Sequence, residues 1–313
     1  MSRAIFVLEI ILRNIENGIV NTKREIYYIC KGEIKHNPAL KPLDFGDQDE
    51  SDEIIDFICE MLECYREELN CFANDRGGQT YAQNLVVTET MPDGEVATVD
   101  LSKLGTSPFQ PKNRPQNLKL SAKKKIDFCL IVESEGTANT LFANGFTKRH
   151  NAILMGAQGV PSNAVRGWAK LIQDQLKVPL YFFGDLDAYT VQNIYRTLKA
   201  GSAASLIRNS DFSAPDVKFL GVLPEDIKKY DLNDYPVKES DPQEGRQLKK
   251  AADALKNDPF FHDKRNKGLV LILKWLIDNK RRCEQQSYYT VDPRDPTMPE
   301  KIILEKIKNG DYV

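Results

Sequence analysis

The 313-residue chain is poor in histidine, has no paired-cysteine motif, no long apolar run and no basic excess. Its three histidines, His36, His150 and His262, stand beside no plausible nucleophile, which argues against a His-based catalytic triad. The six cysteines (Cys30, Cys59, Cys64, Cys71, Cys129, Cys283) form no CxxC pair, which argues against a zinc site and suits reduced, mostly buried thiols. Apolar runs such as AIFVLEIILRNI are cut by Glu9 and Arg13, are too short to span a bilayer, and precede no small-residue cleavage site. The expectation is an intracellular protein with neither signal peptide nor membrane helix. A net charge of −2 confines any nucleic-acid contact to a local patch. There is no P-loop.

What is present falls into two patterns. AIFVLEIILRNIENG has helical apolar spacing and stops at Gly18; Thr22 followed by Glu25 is a capping box that starts a second helix at KREIYYIC. DEIIDFICEMLECYREEL repeats Ile54, Ile58, Leu62 and Tyr65 on one helical face. After LNCFAN and the Gly77-Gly78 break, QNLVVTET, the turn MPDG and EVATVDL alternate like a hairpin. Three helices and a β wing over residues 1–104 outline a winged helix-turn-helix, a shape that docks on DNA. Residues 105–125 carry three prolines and a basic run and read as a linker. From 126 to 313, IDFCLIVE, NAILMG and VPLYFFGDLD each precede a helical segment, and LVLILKWLI reads as a buried helix near the end. That alternation predicts an α/β, Rossmann-like parallel sheet with ligands at the carboxyl ends of its strands.

Acidic residues sit at those ends. Glu133 closes the first strand, and Asp185 and Asp187 follow VPLYFF through the permissive Gly184. Such residues also cap helices or bind loop amides, but three carboxylates at two strand ends make a hard-oxygen set suited to Mg²⁺ working on phosphates, with Mn²⁺ able to substitute. TKREIYYICKG, at residues 22–32, places Tyr27 and Tyr28 side by side behind three charged residues. Phenols ionise near pH 10, so a tyrosine nucleophile needs a base, a cation or an organised phosphate nearby, and Lys23 and Arg24 lie within the same helical turn.

VES at 132–134 and FGDLDAY at 183–189 resemble the Toprim pattern of a lone Glu and a later Asp-x-Asp, shared by topoisomerases, bacterial primases and some nucleases. With TKREIYY, GVPSNAVR, IYRTLKAGS, KFLGV, CEQQS and MPEKI in order from 22 to 302, the chain resembles the A subunit of topoisomerase VI and its relative, the transesterase that makes meiotic double-strand breaks. The resemblance implies a winged-helix domain carrying the nucleophile and a Toprim domain carrying the metal. It implies Tyr28 as nucleophile, Arg24 as its phosphate contact, and Glu133, Asp185 and Asp187 as metal ligands. Gly159, Pro161 and Arg166 match the family's Gly-x-Pro loop and a following arginine; Lys23, Arg166, Arg196 and Lys199 are candidate DNA contacts. The implied assembly is a homodimer on double-stranded DNA in which one chain's tyrosine meets the other chain's metal, associated with DNA in the cell. No GHKL ATPase motif is present, so strand passage would require a separate B-type ATPase partner.

Departures from the family are specific. Ala188 and Thr190 replace the Pro and Gly that usually follow the acidic pair, which predicts a less tightly turned loop, and Gln158 stands where the family has a lysine. Tyr28 lies close to the first residue, so the chain is either truncated or a short A-like form without the usual docking segment for a B-type partner. Two other readings stay open from sequence: a DNA-binding module that has lost cleavage chemistry, and a Toprim nuclease or primase-like enzyme that does not use Tyr28.

Overall fold

The computed structural model describes residues 2–72, 78–91, 94–111, 118–201, 212–238 and 241–313. Gly77 of the expected break, Pro92 and Asp93 of the hairpin turn, residues 112–117 of the expected linker and Ser202 of IYRTLKAGS lie outside the described residues. The chain divides into two compact units, Met1–Asp75 and Arg76–Val313.

In the first unit, α1 (Ser2–Glu16) buries Phe6, Val7, Ile10 and Ile11, a helical i, i+4 stripe. A two-residue strand β1 (Asn21–Thr22) leads into α2 (Lys23–His36), which starts at the expected capping box. The Thr22 hydroxyl accepts the Glu25 amide at 3.2 Å, and the Glu25 carboxylate accepts the Thr22 amide at 2.6 Å. Helix α2 buries Ile26, Cys30 and Ile34. Helix α3 (Gln48–Met61) is shorter than expected and starts earlier, on the N-cap Asp47. It stops because Leu62 caps it and Glu63 takes a left-handed φ of 50°. Its buried face is Ser51, Ile55 and Ile58, one position round from the expected stripe; Leu62 is exposed. A short strand β2 (Cys71–Phe72) pairs in parallel with β1.

The second unit is built on a five-stranded sheet. It begins with β3 (Gln79–Tyr81), followed by β4 (Leu85–Thr90), β5 (Val96–Asp100) and β6 (Leu118–Ala122). Strands β5, β4 and β6 form their own antiparallel sheet in that order. Two boundaries are thereby corrected. The hairpin read as the wing of the first domain packs in the second unit, and residues 118–122, expected within a linker, form a strand. The alternation Leu118 and Leu120 inward, Lys119 and Ser121 outward is the half-buried strand pattern.

Then come β7 (Phe128–Val132), α4 (Glu135–Ala143), α5 (Phe146–Arg149), β8 (Ala152–Gly156), α6 (Asn163–Leu176) and β9 (Leu180–Phe183). One turn of π-helix over Thr190–Tyr195 runs into α7 (Arg196–Ala200), and β10 (Lys218–Gly221) and α8 (Pro224–Lys229) follow. The sheet order is β10-β9-β7-β8-β3, with all neighbours parallel except the edge strand β3. Every residue of β7, β8 and β9 is buried, as a parallel sheet covered on both faces requires. The unit ends with β11 (Tyr235–Pro236), α9 (Pro242–Asn257), α10 (Pro259–His262), α11 (Lys267–Asn279), β12 (Arg281–Arg282) and α12 (Met298–Asn309). The segment LVLILKWLI is helical as expected and buries Leu269, Ile272, Leu273 and Leu276, although Leu271 faces solvent. Among the described residues no helix is long and apolar enough to cross a membrane.

Candidate functional site

The first group of interest lies on α2 of the N-terminal unit. Ile26 is buried against the helical core while Tyr28, two residues on, is 57% exposed. Tyr27 is half-buried and meets Tyr28 edge-on, with ring centroids 5.2 Å apart. The exposed Arg24 lies one turn earlier, its guanidinium carbon 5.9 Å from the Tyr28 ring centroid. Lys23 points elsewhere: its ammonium donates to Asp56 of α3 at 2.6 Å, so it fastens two helices together.

The second group lies at the carboxyl ends of β7 and β9. Ser134 caps α4, its hydroxyl accepting the Thr137 amide at 3.4 Å, and this fixes Glu133 at the junction of strand and helix. Glu133 Oε2 accepts the Asp185 amide at 3.1 Å and the Thr190 hydroxyl at 2.9 Å. Asp187 accepts the Thr190 amide at 2.6 Å, and Asp185 accepts the Gln285 amide at 2.9 Å. Leu186, between the two aspartates, pairs with Cys283 through both backbone groups, at 2.8 and 3.1 Å. The loop is therefore held on both sides. Thr190 does not slacken it as expected; fully buried, it ties Glu133 with its side chain and Asp187 with its amide.

Gly184 makes the closest approach in this group. A Cβ there would lie 2.6 Å from Glu133 Oε2 and 2.6 Å from the Phe182 ring, so only glycine lets the carboxylate lie across the end of β9. Burial first, then the charges of Asp185 and Asp187, push the Glu133 carboxyl up to about 8. Burial and the charge of Asp187 push Asp185 up to about 6, against the opposing bonds from Gln285. Asp187 is also raised by burial, against the Thr190 bonds and the nearby charge of Arg282.

Burial raises the proton affinity of all three carboxylates, and the charge of Asp187 adds to it at Glu133 and Asp185. Among the described residues, no three His, Cys, Asp or Glu side chains converge on one metal position. The donor set fits Mg²⁺ in its usual manner: one or two carboxylates, with water and phosphate oxygens completing the shell. It does not fit a closed, all-protein cage.

The remaining expected site residues are placed differently. Arg166 is 5% exposed, donating to the Phe212 carbonyl at 3.2 Å and to Asn163. Arg196 donates to Asp258 at 3.0 Å and to the Gly201 carbonyl at 2.6 Å. Lys199 donates to the Val217 carbonyl at 3.0 Å. All three make hydrogen bonds within the fold. Gln158 donates to Glu135 at 2.8 Å beside the half-buried Gly159. Sequence reasoning missed Thr190, Gln285 and Arg282 as neighbours of the carboxylates. CEQQS was visible as a motif, but nothing in its spelling places it against Asp185, a hundred residues earlier.

A parallel α/β sheet with a Glu and an Asp-x-Asp at neighbouring strand ends defines a protein of the Toprim class. The family formed by the Toprim domains of Spo11 and of topoisomerase 6 A subunits matches residues 128–305, and the type IIB DNA topoisomerase family matches residues 1–71. The chain is 34% identical to the type 2 DNA topoisomerase 6 A subunit of Methanocaldococcus jannaschii over 284 residues, covering 90% of this chain and 71% of the relative. It is 30% identical to the protein of that name from Pyrococcus horikoshii (98% and 78% covered) and 28% identical to that from Natronomonas pharaonis (91% and 73%). The chain belongs to the family of Spo11 and topoisomerase 6 A subunits, and is a type IIB DNA topoisomerase A-like subunit.

Proposed function

We propose that the chain cleaves double-stranded DNA by transesterification, with Tyr28 as nucleophile and the Glu133, Asp185 and Asp187 group supplying the one or two carboxylates that hold Mg²⁺, for which Mn²⁺ can substitute. The observation that carries the reading is the exposure of Tyr28, 57%, on a helix whose other face is fixed in the core, with Arg24 one turn away.

The Tyr28 phenolic oxygen attacks a backbone phosphorus. A bond forms between them, the bond from phosphorus to the 3′ oxygen breaks, and the product is a 5′-phosphotyrosyl link with a free 3′-hydroxyl. The phenolic proton leaves to solvent as the nucleophile engages, and the departing 3′ oxygen takes one up. Arg24 orients the phosphate by charge-assisted hydrogen bonds and stabilises the charge that builds on its oxygens. Lys23, anchored to Asp56, holds the start of α2 against α3 rather than touching DNA. When bound, Mg²⁺ polarises the phosphate and stabilises the leaving oxygen. One phosphodiester replaces another, so the cut is reversible.

The three-helix N-terminal unit is read as the DNA-docking half in the helix-turn-helix manner. The assembly is read as a homodimer in which each tyrosine serves its partner's carboxylates, giving a staggered double-strand break, with a separate B-type ATPase supplying strand passage. Incubation with supercoiled plasmid and Mg²⁺ or Mn²⁺, quenched with denaturing detergent, tests the chemistry. Protein-linked linear DNA is expected from the wild type and none from Tyr28→Phe. Cleavage that persists in Tyr28→Phe points to a nuclease that ignores the tyrosine, and DNA binding without cleavage, in the presence of a B-type ATPase chain, points to a module that has lost its chemistry.

A further inference from the structure

A cavity of ≈ 400 Å³ opens beside Asp187, between the acidic loop and the start of α9. Asp187, Asp241 and Glu244 line it, and Arg282 is the one cation among its described lining residues. Arg282 is fixed there by its backbone from both sides. It pairs with Tyr235 across the β11–β12 ribbon, and its neighbour Cys283 pairs with Leu186, the residue between the two aspartates.

Its side-chain partners are weak by comparison. The guanidinium reaches Glu284 at 3.1 Å and Glu244 at 3.6 Å, it is 33% exposed, and its Nε is buried with no hydrogen-bond partner. Half-exposed ion pairs of this kind exchange readily for a stronger ligand. A DNA phosphate approaching the carboxylates would otherwise meet only negative charge on this wall. A guanidinium whose two terminal nitrogens hold only such exchangeable partners suits a phosphate, which it can grip through two parallel N–H donors.

We propose that Arg282 is a DNA-phosphate contact of the acidic site, leaving Glu244 and Glu284 to bind a backbone phosphate that enters the cavity beside Asp187. This rests on the carboxylate site proposed above and adds a binding residue that neither the Glu and Asp-x-Asp pattern nor the tyrosine motif contains.

The test measures duplex DNA affinity by fluorescence anisotropy in Ca²⁺ across a range of salt, alongside Mn²⁺ binding to the DNA-free protein by electron paramagnetic resonance. Arg282→Gln is expected to weaken DNA binding and to flatten the dependence of log affinity on log salt by about 0.9, the share of one phosphate contact. Arg282→Lys should keep most of the slope. Mn²⁺ binding in Arg282→Gln should be equal to or tighter than wild type, because a neighbouring positive charge has been removed. An unchanged salt slope overturns the proposal. So does loss of Mn²⁺ binding in Arg282→Gln, which would make the arginine a scaffold for the carboxylates. A variant with Glu133→Gln, Asp185→Asn and Asp187→Asn together separates the two claims: Mn²⁺ binding that survives loss of all three carboxylates removes the metal-site reading, while a flattened slope in Arg282→Gln still assigns the phosphate contact.

Discussion

Gly184 sets how near Glu133 can come to the aspartate loop. The missing side chain leaves room for Oε2 to reach the Asp185 amide, and a methyl group in that space would meet both the carboxylate and the Phe182 ring at 2.6 Å. Neither neighbour yields cheaply, because Phe182 is fully buried and Glu133 is held by Thr190. Gly184→Ala is therefore expected to destabilise the protein by about 1–3 kcal/mol, the usual cost of overpacking, and to weaken Mn²⁺ binding by displacing Glu133. Calorimetric melting and Mn²⁺ titration check both; a variant that matches wild type in each would mean the carboxylate does not rest on Gly184. The three acids and Gly184 were legible in sequence because they end or follow apolar strands. Thr190 was legible only as a departure from a pattern, since a hydroxyl's partner depends on which strand lies alongside, and that is a matter of tertiary packing.

Strand β6 shows how an element can hide. The prolines before it and the lysines after it are those of a connector, and only two inward leucines, Leu118 and Leu120, carry the strand signal. What secures it is pairing: β6 runs antiparallel to β4, and just beyond it Lys123 reaches across to Asp100 at the end of β5, at 2.8 and 3.0 Å. The Lys123 ammonium, with help from Ser102, holds the Asp100 carboxyl down to about 2. A carboxyl whose folded value lies below its unfolded one, near 3.9, stabilises the fold above about pH 4 and stops doing so as pH falls through the folded value. Lys123→Met should therefore melt below wild type at neutral pH, with the difference closing between about pH 4 and 2. Melting curves across that range decide it; a gap of constant size down to pH 2 would assign the lysine's effect to packing instead. The main sheet was far easier to read, because a parallel strand buried on both faces is a continuous apolar run such as FCLIV or AILMG. The wing was misplaced for the opposite reason: alternation identifies a hairpin but not the core it covers.

At the scale of the assembly, the proposed chemistry makes a demand that a mixed dimer can test. If each active site joins one chain's Tyr28 to its partner's carboxylates, then co-assembling Tyr28→Phe with Asp187→Asn protomers leaves one complete site per dimer. The intact tyrosine of the Asp187→Asn chain meets the intact carboxylates of the Tyr28→Phe chain, while the opposite site has lost both. Such a dimer should cut one strand and yield nicked circles covalently joined to the Asp187→Asn chain alone, although neither variant by itself gives any covalent product. If instead each chain uses its own carboxylates, both sites in the mixed dimer are broken and plasmid stays supercoiled. Differently sized tags on the two protomers, read on a denaturing gel with end-labelled DNA, report which chain carries the strand. A label on the Tyr28→Phe chain would contradict Tyr28 as nucleophile outright, and a label on neither, in dimers shown by sedimentation to be mixed, would confine each site to a single chain.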